Sequence, residues 1–237
     1  MAFTFFFRDS QTLEMAIREA LPSFQGRAFI HVWDAGCAHG CEPYTLAILL
    51  REQMSNYVFS NVCIHATDLD LSFAGQVTAG VFAEQEVKRV PPDIQRKYFQ
   101  PTSESGFVEV VPELRAKVGF SHHDLLSLQP IREGFSLIVC KNVLLHFDER
   151  QRIKVLQMFH QALQPGGILV MEHTQKLPEM LAPRFRQIAP YAQVFYKVDR
   201  VVVEPCEESK MFHQHSERLT GIHEHRPLPH HEKSHCS

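Results

Sequence analysis

The sequence predicts an α/β protein: a doubly wound, mostly parallel, Rossmann-like sheet with a small inserted β-hairpin subdomain. Three observations lead there. Short apolar runs alternate with amphipathic stretches, the pattern of a parallel sheet covered by helices. One run reaches an acid, turns through two glycines and enters a helix, in Val32-Trp33-Asp34-Ala35-Gly36-Cys37-Ala38-His39-Gly40-Cys41-Glu42-Pro43-Tyr44-Thr45. Polar residues also recur directly after later runs, at Asp68, at Asp124 and at Lys141-Asn142. Such positions lie at strand C-termini, where open α/β sheets bind ligands.

The elements follow in order. Leu13, Ala16, Ile17, Ala20 and Leu21 share one face of a helix over residues 10–22. Residues 29–33 read as the first buried strand. Residues 43–54 read as the helix after it, with Pro43 near its first turn. A second strand, 62–66, runs into Thr67-Asp68-Leu69-Asp70, and a helix with a basic, Pro-containing stretch fills 81–100. Residues 98–100 and 107–111 form a hairpin around Thr102-Ser103-Glu104-Ser105-Gly106. Strands follow at 118–121 and 135–140. Ile153, Leu156, Phe159 and Leu163 give a helix over 149–163, stopped by Pro165-Gly166-Gly167 before a strand at 168–171. Alternating and β-branched residues over 192–203 suit a final hairpin or edge pair.

The chain has 237 residues, of which 44% are hydrophobic and 22% charged, enough for one α/β domain with a sizeable core. We expect that domain over 1–203, with the insert at about 98–118. From residue 204 onward a polar, Pro-containing tail carries His213, His215, His223, His225, His230, His231 and His235. It has too few apolar residues to bury a core and is expected to be disordered, with weak metal chelation open to it on composition alone. The formal net charge of -3 makes no electrostatic case for nucleic acid or an anionic membrane. No apolar run approaches the roughly 18 residues of a membrane span. The aromatic start lacks the basic region of a signal peptide. The six cysteines read as small apolar residues in a reducing, cytoplasmic setting. Cys37 and Cys41 have no second pair at zinc spacing, so no metal site is expected.

The glycine turn narrows the ligand. It lacks the Lys-Ser/Thr of a phosphate-binding P-loop and departs from the dinucleotide spacing. Asp34 before the glycines and Glu42 after them disfavour phosphate. They suit a cationic, hydroxyl-bearing ligand, and S-adenosylmethionine is both. Asp68, ending strand two, stands where an acid receives ribose hydroxyls. Singly, each acid also fits a helix cap or a solvated turn; their recurrence after successive strands argues for one shared site.

Together these segments resemble the CheR-type chemotaxis receptor methyltransferases, within the class I S-adenosylmethionine-dependent methyltransferases. Ala35-Gly36-Cys37-Ala38-His39-Gly40-Cys41-Glu42-Pro43-Tyr44-Thr45 is similar to the family's A-G-C-S-x-G-E-E-P-Y-S. Phe6-Phe7-Arg8-Asp9 with Thr4 resembles T-x-F-F-R-D, and Ala66-Thr67-Asp68-Leu69-Asp70 resembles A-T-D-I-D. Cys140-Lys141-Asn142-Val143-Leu144-Leu145-His146-Phe147 resembles C-R-N-V-M-I-Y-F, and Leu163-Gln164-Pro165-Gly166-Gly167 matches a late methyltransferase motif. Motif order holds from about residue 4 to residue 200.

The resemblance implies a cofactor, S-adenosylmethionine, with S-adenosylhomocysteine as product, and a protein glutamate as acceptor. It implies that Glu42 contacts the methionine portion, Asp68 the ribose, and Asp124 with Leu125 the adenine. Asp34, Gly36, Gly40 and Asn142 would shape the cofactor site. Thr4 and Arg8 would reach the methionine end or the acceptor, and His146 would stand near the transferred methyl. The inserted hairpin would dock a protein partner.

Several positions depart from the family. Its basic helical module has no counterpart before the F-F-R segment. Lys141 replaces an arginine, losing a planar fork. His146 replaces a tyrosine, Asp124 an asparagine, His39 a small hydroxyl residue, and Ala2 an asparagine. Histidine titrates near neutrality, so His146 has the chemistry of a base toward a nitrogen or hydroxyl acceptor, or simply fills the tyrosine's place. The acceptor thus stays open between a protein carboxylate and another nucleophile. A non-catalytic sensor or scaffold that binds the cofactor is the alternative.

Overall fold

A computed structural model describes residues 4–199; the histidine-rich segment and Ala2 lie outside them. Helix α1 (Ser10–Phe24) precedes strand β1 (Ile30–Ala35), then α2 (Cys41–Gln53), α3 (Asn56–Ser60) and β2 (Val62–Asp68). Next come α4 (Ala74–Ala79), β3 (Val81–Ala83), α5 (Glu84–Val87), α6 (Pro92–Tyr98), β4 (Phe99–Pro101), β5 (Phe107–Val110) and α7 (Pro112–Arg115). The chain continues through β6 (Val118–His122), β7 (Phe135–Cys140), α8 (Glu149–Ala162), β8 (Leu163–Met171), β9 (Phe185–Ala189) and β10 (Ala192–Lys197).

Seven strands form one sheet in the order β6-β2-β1-β7-β8-β10-β9. The first five in that row run parallel, and β10 pairs antiparallel with both β8 and β9. The chain builds outward from β1 to β6, then crosses back to place β7 on the other side of β1. That reversal opens a crevice between the C-terminal ends of β1 and β7, the usual place for a ligand in such sheets.

Alternation along the strands sorts the core into two layers. Ile30, Val32, Ile64, Leu137, Val139 and Val170 face α1 and α2, meeting Leu13, Ile17, Leu46 and Leu50. Trp33, Phe135, Ile138, Leu169 and Phe195 face α8, meeting Val155, Leu156 and Phe159. Burial on both faces explains why β1 and β7 read as continuous apolar runs rather than alternating ones. Each fully buried Leu, Ile or Phe contributes about 2 kcal/mol by removal from water.

Several boundaries differ from the sequence reading, and the edge pair expected over 192–203 is built instead from β9 and β10, 185–189 against 192–197. The first strand ends at Ala35, two residues later than expected, because Asp34 still pairs in register with Ala66 and Val139. The inserted unit is a three-stranded sheet, β3-β5-β4, so it begins at Val81 rather than near residue 98. A three-residue strand is too short to show a period. Pro165-Gly166-Gly167 does not separate helix from strand but lies inside β8, where the register against β7 shifts between Phe135 and Leu137. Gly166 has φ 69, and Gly167 passes so close to Phe135 O that a β-carbon would stand 2.9 Å from it.

Candidate functional site

The glycine turn leaves β1 in a conformation only glycine adopts easily. Gly36 has φ 102 and Gly40 φ 95. The Gly36 and Cys37 N–H groups both donate to Thr67 O, at 2.8 and 2.9 Å, latching the turn to the end of β2. Asp68 completes the latch: one carboxylate oxygen accepts Ala38 N–H at 2.9 Å and the other accepts Asp70 N–H at 3.0 Å. On its other side the turn abuts the loop after β7. A β-carbon at residue 36 would lie 2.1 Å from Val143 Cγ2.

Between these loops lies a cavity of about 650 Å³, within the size range of small-molecule sites. The N-terminal segment brings Thr4 and Arg8 to its wall, and the glycine turn brings Gly36. Glu42 comes from the first turn of α2 and Asp68 from the end of β2. Asp124 and Leu125 follow β6; Asn142 and His146 follow β7. Nine of the eleven residues expected at the site therefore meet on one wall. Asp34 and Gly40 do not. Asp34 is a paired strand residue with 0% exposure, beneath the cavity floor. Gly40 caps α2 and faces Val77, whose Cγ2 would be 3.2 Å from a β-carbon there.

The floor carries an unusual charge arrangement. Lys141 Nζ, its side chain 1% exposed, sits 3.6 Å from Glu42 Oε2 and 3.3 Å from Asp9 Oδ2, and donates to Arg8 O at 3.3 Å. Asp34 is buried beside Glu42, and the two carboxyl groups are close enough to share a hydrogen bond. Burial and the Glu42 charge hold the Asp34 carboxyl well above the usual carboxylate range, while Lys141 pulls it down. Burial raises Glu42 too, opposed chiefly by Lys141. Lys141 and Arg8 both act on Glu42, yet the cavity lining as a whole carries three acids, Glu42, Asp68 and Asp124, against these two cations, a balance that favours a cationic ligand.

Sequence reasoning missed several contributors. Phe73 lines the cavity because His39, in the glycine turn, packs edge-on against it at 4.5 Å between ring centroids and contacts Gln76 Oε1 at 3.1 Å. Phe6 is buried between Phe82 and Phe99, at 4.8 and 5.3 Å, so the three-stranded sheet anchors the segment that carries Arg8. Phe7 N–H donates to Thr45 Oγ1 at 3.1 Å on the same path. These partners are far apart in sequence and carry no local signal. Leu69, Leu126 and Leu145 line the cavity while staying partly exposed, an apolar rim.

Cys37 and Cys41 are buried free thiols. Burial pushes Cys41 up to about 12 and raises Cys37 as well, which makes both inert packing groups. Among the described residues no group of His, Cys, Asp and Glu is arranged to hold a metal, and no helix is long and apolar enough to cross a membrane.

Residues 2–191 match the family described as CheR methyltransferase, SAM binding domain. The chain is similar to the chemotaxis protein methyltransferase of Borreliella burgdorferi, 30% identical over 182 residues covering 73% of this chain and 64% of that protein. It is also similar to chemotaxis protein methyltransferase 2 of Vibrio cholerae, 26% identical over 197 residues covering 79% of this chain and 68% of the relative. The chemotaxis protein methyltransferase of Vibrio parahaemolyticus is 28% identical over 199 residues, covering 82% and 72% respectively. This chain thus spans just under two thirds of the length of the Borreliella protein.

Proposed function

The chain belongs to the CheR methyltransferase family, through that family's S-adenosylmethionine-binding domain, and from this premise we propose that it methylates a carboxylate, a glutamate side chain of a protein. The observation that carries the reading is the lining of the cavity, where Glu42, Asp68 and Asp124, from the ends of three different elements, outnumber Arg8 and Lys141. Those acceptors fit a ligand with a sulfonium, an ammonium and a ribose.

Bound there, S-adenosylmethionine supplies an electrophilic methyl group. The residues supply position. Glu42 receives the ammonium of the methionine end. Asp68, already oriented by two backbone N–H groups, has lone pairs left for ribose hydroxyls. Asp124 is fixed by accepting Leu126 N–H at 2.8 Å, and with Leu125 it is proposed to take the adenine. Leu69, Leu126 and Leu145 give the mouth of the site an apolar rim. A carboxylate acceptor is already ionised at neutral pH, so the residues need only hold it in line. Arg8 pairs with it through a charge-assisted bond, and Thr4 lies on the same wall. His146, on the cavity wall and exposed, supports a second reading, in which its ring takes a proton from a nitrogen or hydroxyl acceptor. The sheet of β3, β5 and β4 is proposed as the docking surface for the protein substrate.

Tritium transfer from methyl-labelled S-adenosylmethionine into cell extract tests both. A base-labile protein label, lost with Arg8→Ala, is expected for a carboxyl ester. A base-stable label would move the acceptor to nitrogen or a hydroxyl, since neither an N-methyl group nor a methyl ether is cleaved by base. Calorimetry showing cofactor binding but no transfer to any acceptor would leave only the sensor role.

A further inference from the structure

Glu172 is the first residue beyond β8, and it is 3% exposed. Strands β8 and β7 run side by side, with Met171 opposite Cys140. Glu172 therefore leaves the sheet beside the loop that starts at Lys141. Its Oε2 accepts the backbone N–H of Asn142 at 2.8 Å, while Oε1 has no partner among the described residues. Burying a carboxylate with one oxygen unsatisfied is costly, so its presence at a strand end calls for a reason.

Asn142 supplies one. It holds φ 61, a left-handed conformation that a residue with a side chain enters reluctantly and keeps only when its surroundings impose it. Asn142 and Val143 both line the cavity. Val143 fills the space where a side chain at Gly36 would go. A change in the backbone at Asn142 would therefore shift two wall residues and release the glycine turn from its neighbour.

We propose that Glu172 is a positioning residue: its carboxylate clamps the Asn142 N–H and so locks residues 141–143 against the glycine turn in the arrangement that forms the cofactor wall. Glu172 is not on the cavity wall, so it acts through Asn142. The proposal rests on the reading of the cavity as an S-adenosylmethionine site.

The test uses the full chain and two variants, E172Q and E172M. Glutamine keeps an oxygen that accepts the Asn142 N–H. Methionine keeps the volume but offers no comparable acceptor, and removes the unsatisfied oxygen. Three quantities are measured: S-adenosylhomocysteine affinity by calorimetry, exchange of the Asn142 amide in ligand-free protein, and the melting temperature. In E172M, affinity should fall on the order of tenfold or more, the expectation for losing a bond to a charged acceptor. The Asn142 amide should exchange faster while the melting temperature holds or rises. E172Q should bind within about threefold of wild type, with its amide protected. Unchanged affinity or unchanged exchange in E172M overturns the proposal. So does a loss of affinity matched by a general loss of stability, which marks a merely structural role. If wild type fails to bind S-adenosylhomocysteine, the cofactor reading falls, and faster amide exchange in E172M still decides the clamp.

Discussion

Val143 stands where a side chain at residue 36 would have to go: its Cγ2 is 2.1 Å from the position of a β-carbon on Gly36. Since Gly36 also has φ 102, space and backbone both demand glycine. Gly36→Ala should cost about 2 kcal/mol or more in stability and weaken S-adenosylhomocysteine binding at least about tenfold. Calorimetry and urea denaturation check this. Adding Val143→Ala should recover part of the loss, because it relieves the clash but not the strain.

Lys141 is a cation buried among acids. Lys141→Met leaves Glu42 and Asp9 without it and should destabilise by about 3 kcal/mol at pH 7, the usual cost of removing one partner of a buried pair. Lys141→Arg should lose much less. Urea unfolding of the three proteins decides the point, and equal stability of K141M and wild type would refute the floor's charge balance.

Asp34 gives stability a pH dependence with a definite sign. Its folded-state pKa is raised above the ordinary 3.8 by burial and Glu42, so the folded protein holds a proton that the unfolded chain releases. Stability from this group is full below pH 3.8 and declines as pH rises through the raised value. Asp34→Asn lacks that decline. The stability difference between the variant and wild type should grow in the variant's favour from acid toward neutral pH, as urea titrations at a series of pH values would read.

His65 acts in the opposite direction. Burial, then His31 and Arg132, lower it from 6.5 to about 4. Its Nε2 is 3.1 Å from His31 Nδ1, which Arg132 contacts at 2.9 Å, and its ring packs on Phe135. The unfolded chain binds a proton here that the folded protein refuses, so stability falls as pH drops from 6.5 toward 4. Allowing for partial solvation, the loss is on the order of 1–2 kcal/mol. His65→Gln should remove that component from the acid limb of the melting temperature.

Much of the site was legible because its chemistry sits at strand ends. Asp68, Asp124 and Asn142 each follow an apolar run closely, and strand C-termini in a parallel sheet share one edge. The boundaries of α1, α2 and α8 were legible to within about two residues, since their buried faces repeat with the helical period, whereas the short helices α3 to α7 are too brief to show one. Val81–Ala83 and the register shift around Pro165 were not, because a short strand and a bulge leave no periodic trace.

The sequence by itself determined the doubly wound sheet, the glycine turn and the set of polar residues that would meet beside it. These follow from local periods and from where strands end. Only the tertiary structure decided that Asp34 lies beneath the cavity, that Lys141 joins Glu42 to the Arg8 segment, that Phe6 is gripped by Phe82 and Phe99, and that Glu172 holds Asn142. Those relations link residues tens of positions apart. Their energies come from burial and from pairing of charges in a low-dielectric interior, and neither exists until the chain has packed.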